Sequence, residues 1–319
     1  MIYIHKQIND RLKSADKVII VTHKNPDGDA LGSAAALSGY LKEEKKTASI
    51  FCASPMPAMY DFLHHLENYT TDPSVFEDED IDLIVVLDSG DLEHAGISGI
   101  IDEHRASIIN IDHHPTNKLF GHINLVDHNA SSTAEIIFKF LNFNRARFGR
   151  KTATALLTGI ITDTGNFTNS ATTISAINSA GALLRQGANL RVINKAGNRN
   201  NSLDMLKLWG VVLNRLEHHE PTGVTYTYLT QKDFLKHNIT HEEADGVANF
   251  MNNIDNIKIG LFVKEIEDGK IKGSLRTTRD DVDVSKIAKL LNGGGHKKAA
   301  GFTIDGEIKL AIEKILTMV

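Results

Sequence analysis

The stretch His23-Lys24-Asn25-Pro26-Asp27-Gly28-Asp29 puts an imidazole and two carboxylates on one short segment. Pro26 and Gly28 favour a turn there, and mixed nitrogen and oxygen donors of this kind suit manganese, magnesium or zinc. Alone, an Asp-x-Asp turn serves equally well as the solvated start of a helix. Two further segments change the balance. Asp88 follows the apolar run Ile84-Val85-Val86-Leu87, and Asp112-His113-His114 follows Ile108-Ile109-Asn110-Ile111. Acids gathered by neighbouring strand ends repel and raise each other's pKa unless cations compensate them. Asp163 interrupts the otherwise apolar Gly159-Ile160-Ile161-Thr162, and a buried acid there needs either a hydrogen bond from Thr162 or Thr164 or a cation. A shared metal centre accounts for the set where isolated turns do not.

These side chains need a scaffold that brings strand ends to one edge. Strand patterns cover residues 17–22, 47–53, 81–87 and 107–111, with helical patterns at 30–45 and 57–65 between them. This alternation predicts an α/β fold, a mostly parallel sheet flanked by helices, whose strand C-termini share one edge. Ser132 and Glu135 have capping-box spacing at the start of a helix, and further helices are expected over 152–164 and 172–185. Residues 195–202 resemble a linker, followed by a helix over 203–219 and a strand over 224–229. The last hundred residues have a different texture. Segments 257–267 and 270–276 flank Asp268-Gly269, a strong hairpin signal, and a helix over 284–291 precedes Gly293-Gly294-Gly295 and a strand near 302–304. The expected organisation is a catalytic domain over 1–188, a linker and connecting helix over 189–220, and a smaller α+β domain over 221–319.

Composition sets the bounds. The 319 residues are 41% hydrophobic and 24% charged, with a formal net charge of -5, which excludes a polybasic nucleic-acid binder. A single cysteine, Cys52, excludes an intrachain disulfide and a cysteine-rich zinc site, and its place in an apolar strand suits a small buried hydrophobe. Apolar runs are strand-sized, and MIYIHKQIND lacks the blocks of a secretory signal, so a cytoplasmic protein with no membrane partner is expected.

The set His23-x-x-x-Asp27-x-Asp29, Asp88, Asp112-His113-His114 and Asp163 resembles the four motifs of the DHH phosphoesterase superfamily in order and strand context. Gly293-Gly294-Gly295-His296-Lys297-Lys298-Ala299-Ala300-Gly301-Phe302 resembles the glycine-rich signature of the DHH-associated domain. Within the superfamily the chain is most similar to the bacterial nano-RNase and pAp-phosphatase (NrnA-like) group. The resemblance implies two divalent cations, Mn²⁺ foremost with Mg²⁺ or Co²⁺ admissible. His23, Asp27 and Asp88 would hold one; Asp29, Asp88, His113 and Asp163 would hold the other, with Asp88 bridging. His114 would face the substrate phosphate and Asp112 would orient a histidine. Such a pair of cations activates a bridging water for in-line attack on phosphorus, with the leaving-group proton coming from His114 or from water.

The second domain is expected to choose the substrate through Arg276, Gly294, Gly295, His296 and Lys297, across a cleft between the domains. The substrates implied are short RNA, pAp, or the linear dinucleotide pApA derived from cyclic di-AMP, with no obligate protein partner and a homodimer compatible. A family II pyrophosphatase fits the GGGH run poorly, 319 residues leave no room for the extra modules of RecJ-type exonucleases, and a catalytically dead nucleotide sensor would have lost a ligand. Glu217-His218-His219-Glu220 and His64-His65 resemble ligand clusters but are expected to be solvated helix ends. Gly90, Gly96 and Gly99 lack dinucleotide-fingerprint spacing.

Overall fold

The computed structural model describes residues 2–101, 105–197, 202–241, 243–254, 256–266 and 269–319. The chain divides into two compact units, Met1–Asn198 and Arg199–Val319.

The first unit begins α1 (Ile2–Ser14), β1 (Val18–Thr22), α2 (Gly28–Glu43), β2 (Ala48–Phe51), β3 (Tyr69–Thr70), β4 (Leu83–Leu87), α3 (Ser98–Ile101), β5 (Ser107–Asp112) and β6 (Ile123–Val126). It ends with α4 (Thr133–Phe143), α5 (Arg150–Asp163), α6 (Ile174–Arg185) and α7 (Leu190–Gly197). All pairings in its six-stranded sheet, β3-β2-β1-β4-β5-β6, are parallel. The sequences of β1 (VIIVT) and β4 (LIVVL) are apolar almost throughout because both faces are covered. Ile20, Val85 and Ile109 face one cluster with α2, α4 and α5, while Ile19, Ile84 and Ile108 face the other. Each fully buried Ile or Leu contributes about 1.5–3 kcal/mol, so the strand ends rest on a stiff base.

The parallel α/β architecture is as expected from the β-α rhythm, with β3, β6 and α1 added. Residues 57–65 differ: only Ala58–Tyr60 form a 3₁₀ turn, and His65 takes a left-handed φ of 71° while Leu63 and Leu66 turn into the core. Cys52 is fully buried, as expected. The supposed linker at 195–202 is partly helical, since α7 runs through Gly197 and Ser202 caps the next helix; residues 198–201 lie outside the described residues.

The second unit comprises α8 (Leu203–Asn214), β7 (Glu217–His219), β8 (Val224–Leu229), α9 (Gln231–His237), α10 (Gly246–Phe250), β9 (Ile259–Glu265), β10 (Lys270–Arg276), α11 (Val284–Leu290), β11 (Gly294–His296), β12 (Ala299–Asp305) and α12 (Ile308–Leu316). Its mixed sheet has the order β11-β12-β10-β9-β8-β7, parallel only between β8 and β9. The expected helix over 203–219 stops at Asn214. Arg215 there turns its guanidinium onto Asp233, at 2.6 and 3.1 Å, and Glu217–His219 pair with β8 instead. The edge of β8 supplies ladder partners that a longer helix would leave unpaired. β9 and β10 form the expected antiparallel pair, and Gly269 has a left-handed φ of 69°, while residues 267–268 of that turn lie outside the described residues. Among the described residues no helix is long and apolar enough to cross a membrane.

Candidate metal centre

The strand order reverses between β1 and β4, the place where open parallel sheets build their sites. Register aligns Thr22 with Leu87 and Leu87 with Ile111, so His23, Asp88 and Asp112 leave three adjacent strands at one level. Asp88 sits in the left-handed region, with φ 59°, which is costly for a residue with a Cβ. Its amide nevertheless donates to the Ile111 carbonyl at 3.0 Å, holding the carboxylate between the two flanking segments.

The donor atoms converge on Asp88. His23 Nε2 lies 3.5 Å from Asp88 Oδ2 and 3.9 Å from Asp27 Oδ1. His113 Nε2 lies 3.5 Å from Asp88 Oδ1 and 3.1 Å from Asp163 Oδ2. Three sets, His23/Asp27/Asp88, Asp29/His113/Asp163 and Asp88/Asp112/His113/His114, each offer ligand atoms within 4.8 Å of one another. The outer nitrogens are fixed too. His23 Nδ1 contacts the Lys24 carbonyl at 2.8 Å, and a carbonyl only accepts, so Nδ1 carries the hydrogen and a neutral ring turns its Nε2 lone pair inward. His114 Nδ1 lies 2.7 Å from Asp112 Oδ1 by the same logic, while Asp112 Oδ2 accepts from Asn117 Nδ2 at 2.6 Å. Asp112 is thus committed to His114 and Asn117, and its carboxylate is fully buried.

Helices place the remaining acids. Asp27 is the N-cap of α2, its side chain accepting from the amides of Asp29 and Ala30 at 2.9 and 3.0 Å, so the helix-start role and the metal-facing position fall on one residue. Ser132 caps α4 as expected, but Glu135 reaches the Ser131 amide and hydroxyl at 2.7 and 2.8 Å rather than closing the box on Ser132. That start of α4 holds Asp29, whose two oxygens accept from the amides of Thr133 (2.6 Å) and Ala134 (2.8 Å). The Thr133 hydroxyl donates to Asp88 Oδ1 at 2.9 Å. Gly159 lets α5 approach: a Cβ there would meet Asp29 Oδ1 and Ala134 Cβ at 2.5 Å. α5 can therefore deliver Asp163, its last residue, against His113.

The electrostatics ask for cations. Burial, followed by the Asp88 and Asp163 charges, raises the Asp29 carboxyl well above the ordinary range. Burial and the Asp88 charge likewise raise Asp163, against the opposing pull of His113. Burial alone would lower the His23 imidazole, but Asp27 and Asp88 override it and push it up to about 11; Asp163 and Asp88 push His113 up to about 9 in the same way. Asp112 raises His114. Carboxylates that hold protons on each other and on the histidines beside them are a donor set suited to hard or borderline divalent cations, with oxygen and imidazole ligands and no thiolate. The residues present fit such ions.

The sequence overlooked several contributors. Thr133 and Asn117 carry no motif of their own, although Thr133 directly follows the Ser132 cap that the sequence does reveal. His94 stacks on His23 with ring centroids 4.9 Å apart and planes within 6°. In the second unit the substrate candidates lie together. Arg276 pairs with Ala299, and Ala299 with His296, so Arg276 and His296 occupy one row and one face two strands apart. Gly294 and Gly295 form β11 rather than a loop, and at Gly295, with φ 137°, a Cβ would strike the Ala299 carbonyl at 2.6 Å. Lys297 lies at the β11–β12 turn, its carbonyl accepting from the Val284 amide at 3.0 Å.

Known proteins resemble this chain over most of its length. The DHH family N-terminal domain matches residues 17–160 and the DHHA1 domain residues 222–319. The bifunctional oligoribonuclease and PAP phosphatase NrnA of Thermus thermophilus is 33% identical over 304 residues, covering 95% of this chain and 89% of that protein. The protein of the same name from Bacillus subtilis is 28% identical, covering 91% and 90%. The crystal structure of an exopolyphosphatase-related protein from Bacteroides fragilis superposes with a TM-score of 0.84 at 25% identity, over 99% of this chain and 96% of that one. The chain belongs to the DHH family, in its NrnA-like group, and is a metal-dependent phosphoesterase.

Proposed function

We propose that this enzyme hydrolyses short oligoribonucleotides to mononucleotides and removes the 3′-phosphate of pAp, with Mn²⁺ as its working metal. The observation that carries the reading is the convergence of three adjacent strand ends and the end of α5 on Asp88, in a chain similar over most of its length to relatives named for those two activities. His23, Asp27 and Asp88 would hold one cation and Asp29, Asp88, His113 and Asp163 the second. When bound, such ions supply Lewis acidity and a hydroxide nucleophile at neutral pH.

The chain's own groups then do three things. Thr133 and the first amides of α4 fix the rotamers of Asp88 and Asp29, so their oxygens need not reorganise when substrate arrives. Asp112, itself held by Asn117, fixes the His114 ring through Nδ1 and leaves Nε2 to donate to a phosphoryl or leaving oxygen. The half-exposed His114 side chain is within reach of solvent and substrate, whereas Asp88 is buried. Arg276, His296 and Lys297, with the Gly294-Gly295 backbone, contact the nucleotide and set KM.

The test is turnover by purified protein with Mn²⁺, offered pAp, a short RNA, pApA and pyrophosphate in parallel, with Asp88→Ala as control. Hydrolysis of pAp and short RNA that disappears in the control is expected. Preference for pApA over both would reassign the substrate to linear dinucleotides, and turnover of pyrophosphate alone would sink the nuclease reading. Metal binding without any turnover would favour a sensor.

A further inference from the structure

Beside the metal-binding residues the first unit has a cavity of about 410 Å³, within the size range of small-molecule sites. Its wall includes Tyr60, Phe62, Thr162, Asn166, Ile193 and Asn194, and among the described residues none that lines it carries a formal charge. The cavity backs directly onto two ligand-bearing segments. Thr162 immediately precedes Asp163, and a Cβ on Gly28, between Asp27 and Asp29, would meet Thr162 Oγ1 at 2.1 Å and the Tyr60 ring at 3.1 Å. The charged centre and the uncharged cavity thus adjoin at Gly28, Tyr60 and Thr162.

The wall is also built at a cost. After α5 the backbone passes through three consecutive left-handed residues, Gly165 (φ 55°), Asn166 (φ 58°) and Phe167 (φ 64°). This strained turn is held by the Asn166 amide on the Ile161 carbonyl (2.8 Å) and by the Phe167 amide on Thr164 Oγ1 (3.2 Å). It brings Asn166 to the cavity.

We infer that this cavity is a nucleobase subsite, taking the uncharged end of a substrate whose phosphate is held at the metal centre. The inference rests on the phosphoesterase reading above and adds the part of the substrate it leaves unassigned. An aromatic and aliphatic lining suits the face of a base, and base stacking on aromatic side chains is tolerant of base identity. The amides of Asn166 and Asn194 offer both donors and acceptors, so they match the edge of a purine or a pyrimidine. A subsite of this kind selects nucleotides over other phosphate esters without selecting sequence.

The experiment compares kcat/KM for pApA with kcat/KM for its abasic counterpart, which has the same sugar-phosphate and no bases, in the Mn²⁺-loaded full chain. Wild type is expected to prefer pApA. That preference should fall about tenfold in Phe62→Ala and severalfold in Asn166→Ala and Asn194→Ala. Asn166 and Asn194 are exposed, so those two variants keep the test valid if loss of Phe62 unfolds the protein. An unaltered preference in folded variants would overturn the subsite while leaving the phosphoesterase reading intact. Failure of wild type to turn over either substrate, with pAp and short RNA also left intact, would overturn both.

Discussion

Two of the chain's three pairs of adjacent histidines have an acid directly beside them, and the fold uses these two in opposite ways. His113 and His114 leave a buried parallel strand one place from the sheet's reversal point, where Asp88, Asp112 and Asp163 surround them. His218 and His219 lie on the edge strand β7, where each Nδ1 meets a threonine hydroxyl, Thr225 at 2.8 Å and Thr222 at 2.9 Å. The acid near His218 is Glu220, at 3.8 Å and with 90% of its side chain exposed. An imidazole acquires metal chemistry from the carboxylates that the backbone crowds around it. Where hydroxyls and solvent take their place, the same residue type holds a hairpin together.

This contrast can be broken most sharply at Asp88. Asp88→Ala should lower kcat by about 10³-fold or more, since it removes the carboxylate that both inward-facing histidines share. Steady-state kinetics with saturating Mn²⁺ checks this; a loss below tenfold would mean the centre lies elsewhere. His114→Ala should lower kcat by about 10²-fold with KM little changed, while Arg276→Ala or His296→Ala should chiefly raise KM. The reverse pattern would exchange the proposed tasks of the two units. Thr133→Ala should weaken Mn²⁺ binding by about tenfold in a calorimetric titration, and Thr133→Ser, which keeps the hydroxyl, should restore it. Equal effects of the two substitutions would show that Thr133 acts only through its bulk. At the small end, His218→Ala and His219→Ala should leave kcat/KM within about twofold. A large loss there would erase the distinction between the two pairs.

The strand ends were legible because parallel strands buried on both faces are written as unbroken apolar runs, and a polar residue that terminates such a run stands out. Asp88 after Leu87 and Asp112 after Ile111 are of that kind. Thr133 was not legible: a threonine after a helix cap is ordinary in sequence, and only the fold brings it 2.9 Å from a residue 45 positions away. The strand β3, of two residues, is too short for periodicity to register, and β6 buries only Leu125 of its four residues. The helical pattern carried through 203–219 failed because Leu216 continues the spacing of Leu213 after α8 has already ended at Asn214, just before the backbone pairs with β8. Segment 57–65 failed for a related reason, since Leu63 and Leu66 reach the core through a left-handed turn at His65 rather than along one helical face.

The converging residues run from His23 to Asp163, so the centre ties together the ends of about 140 residues of chain. A protein with one cysteine has no covalent means of doing this. Metal ligation by these residues would have the topology of a disulfide that can be undone by a chelator: it would join segments whose separation makes their meeting entropically unfavourable in the unfolded chain. The catalytic centre is in that sense also a reversible staple, and one that can close only after the chain has been synthesised through the end of α5.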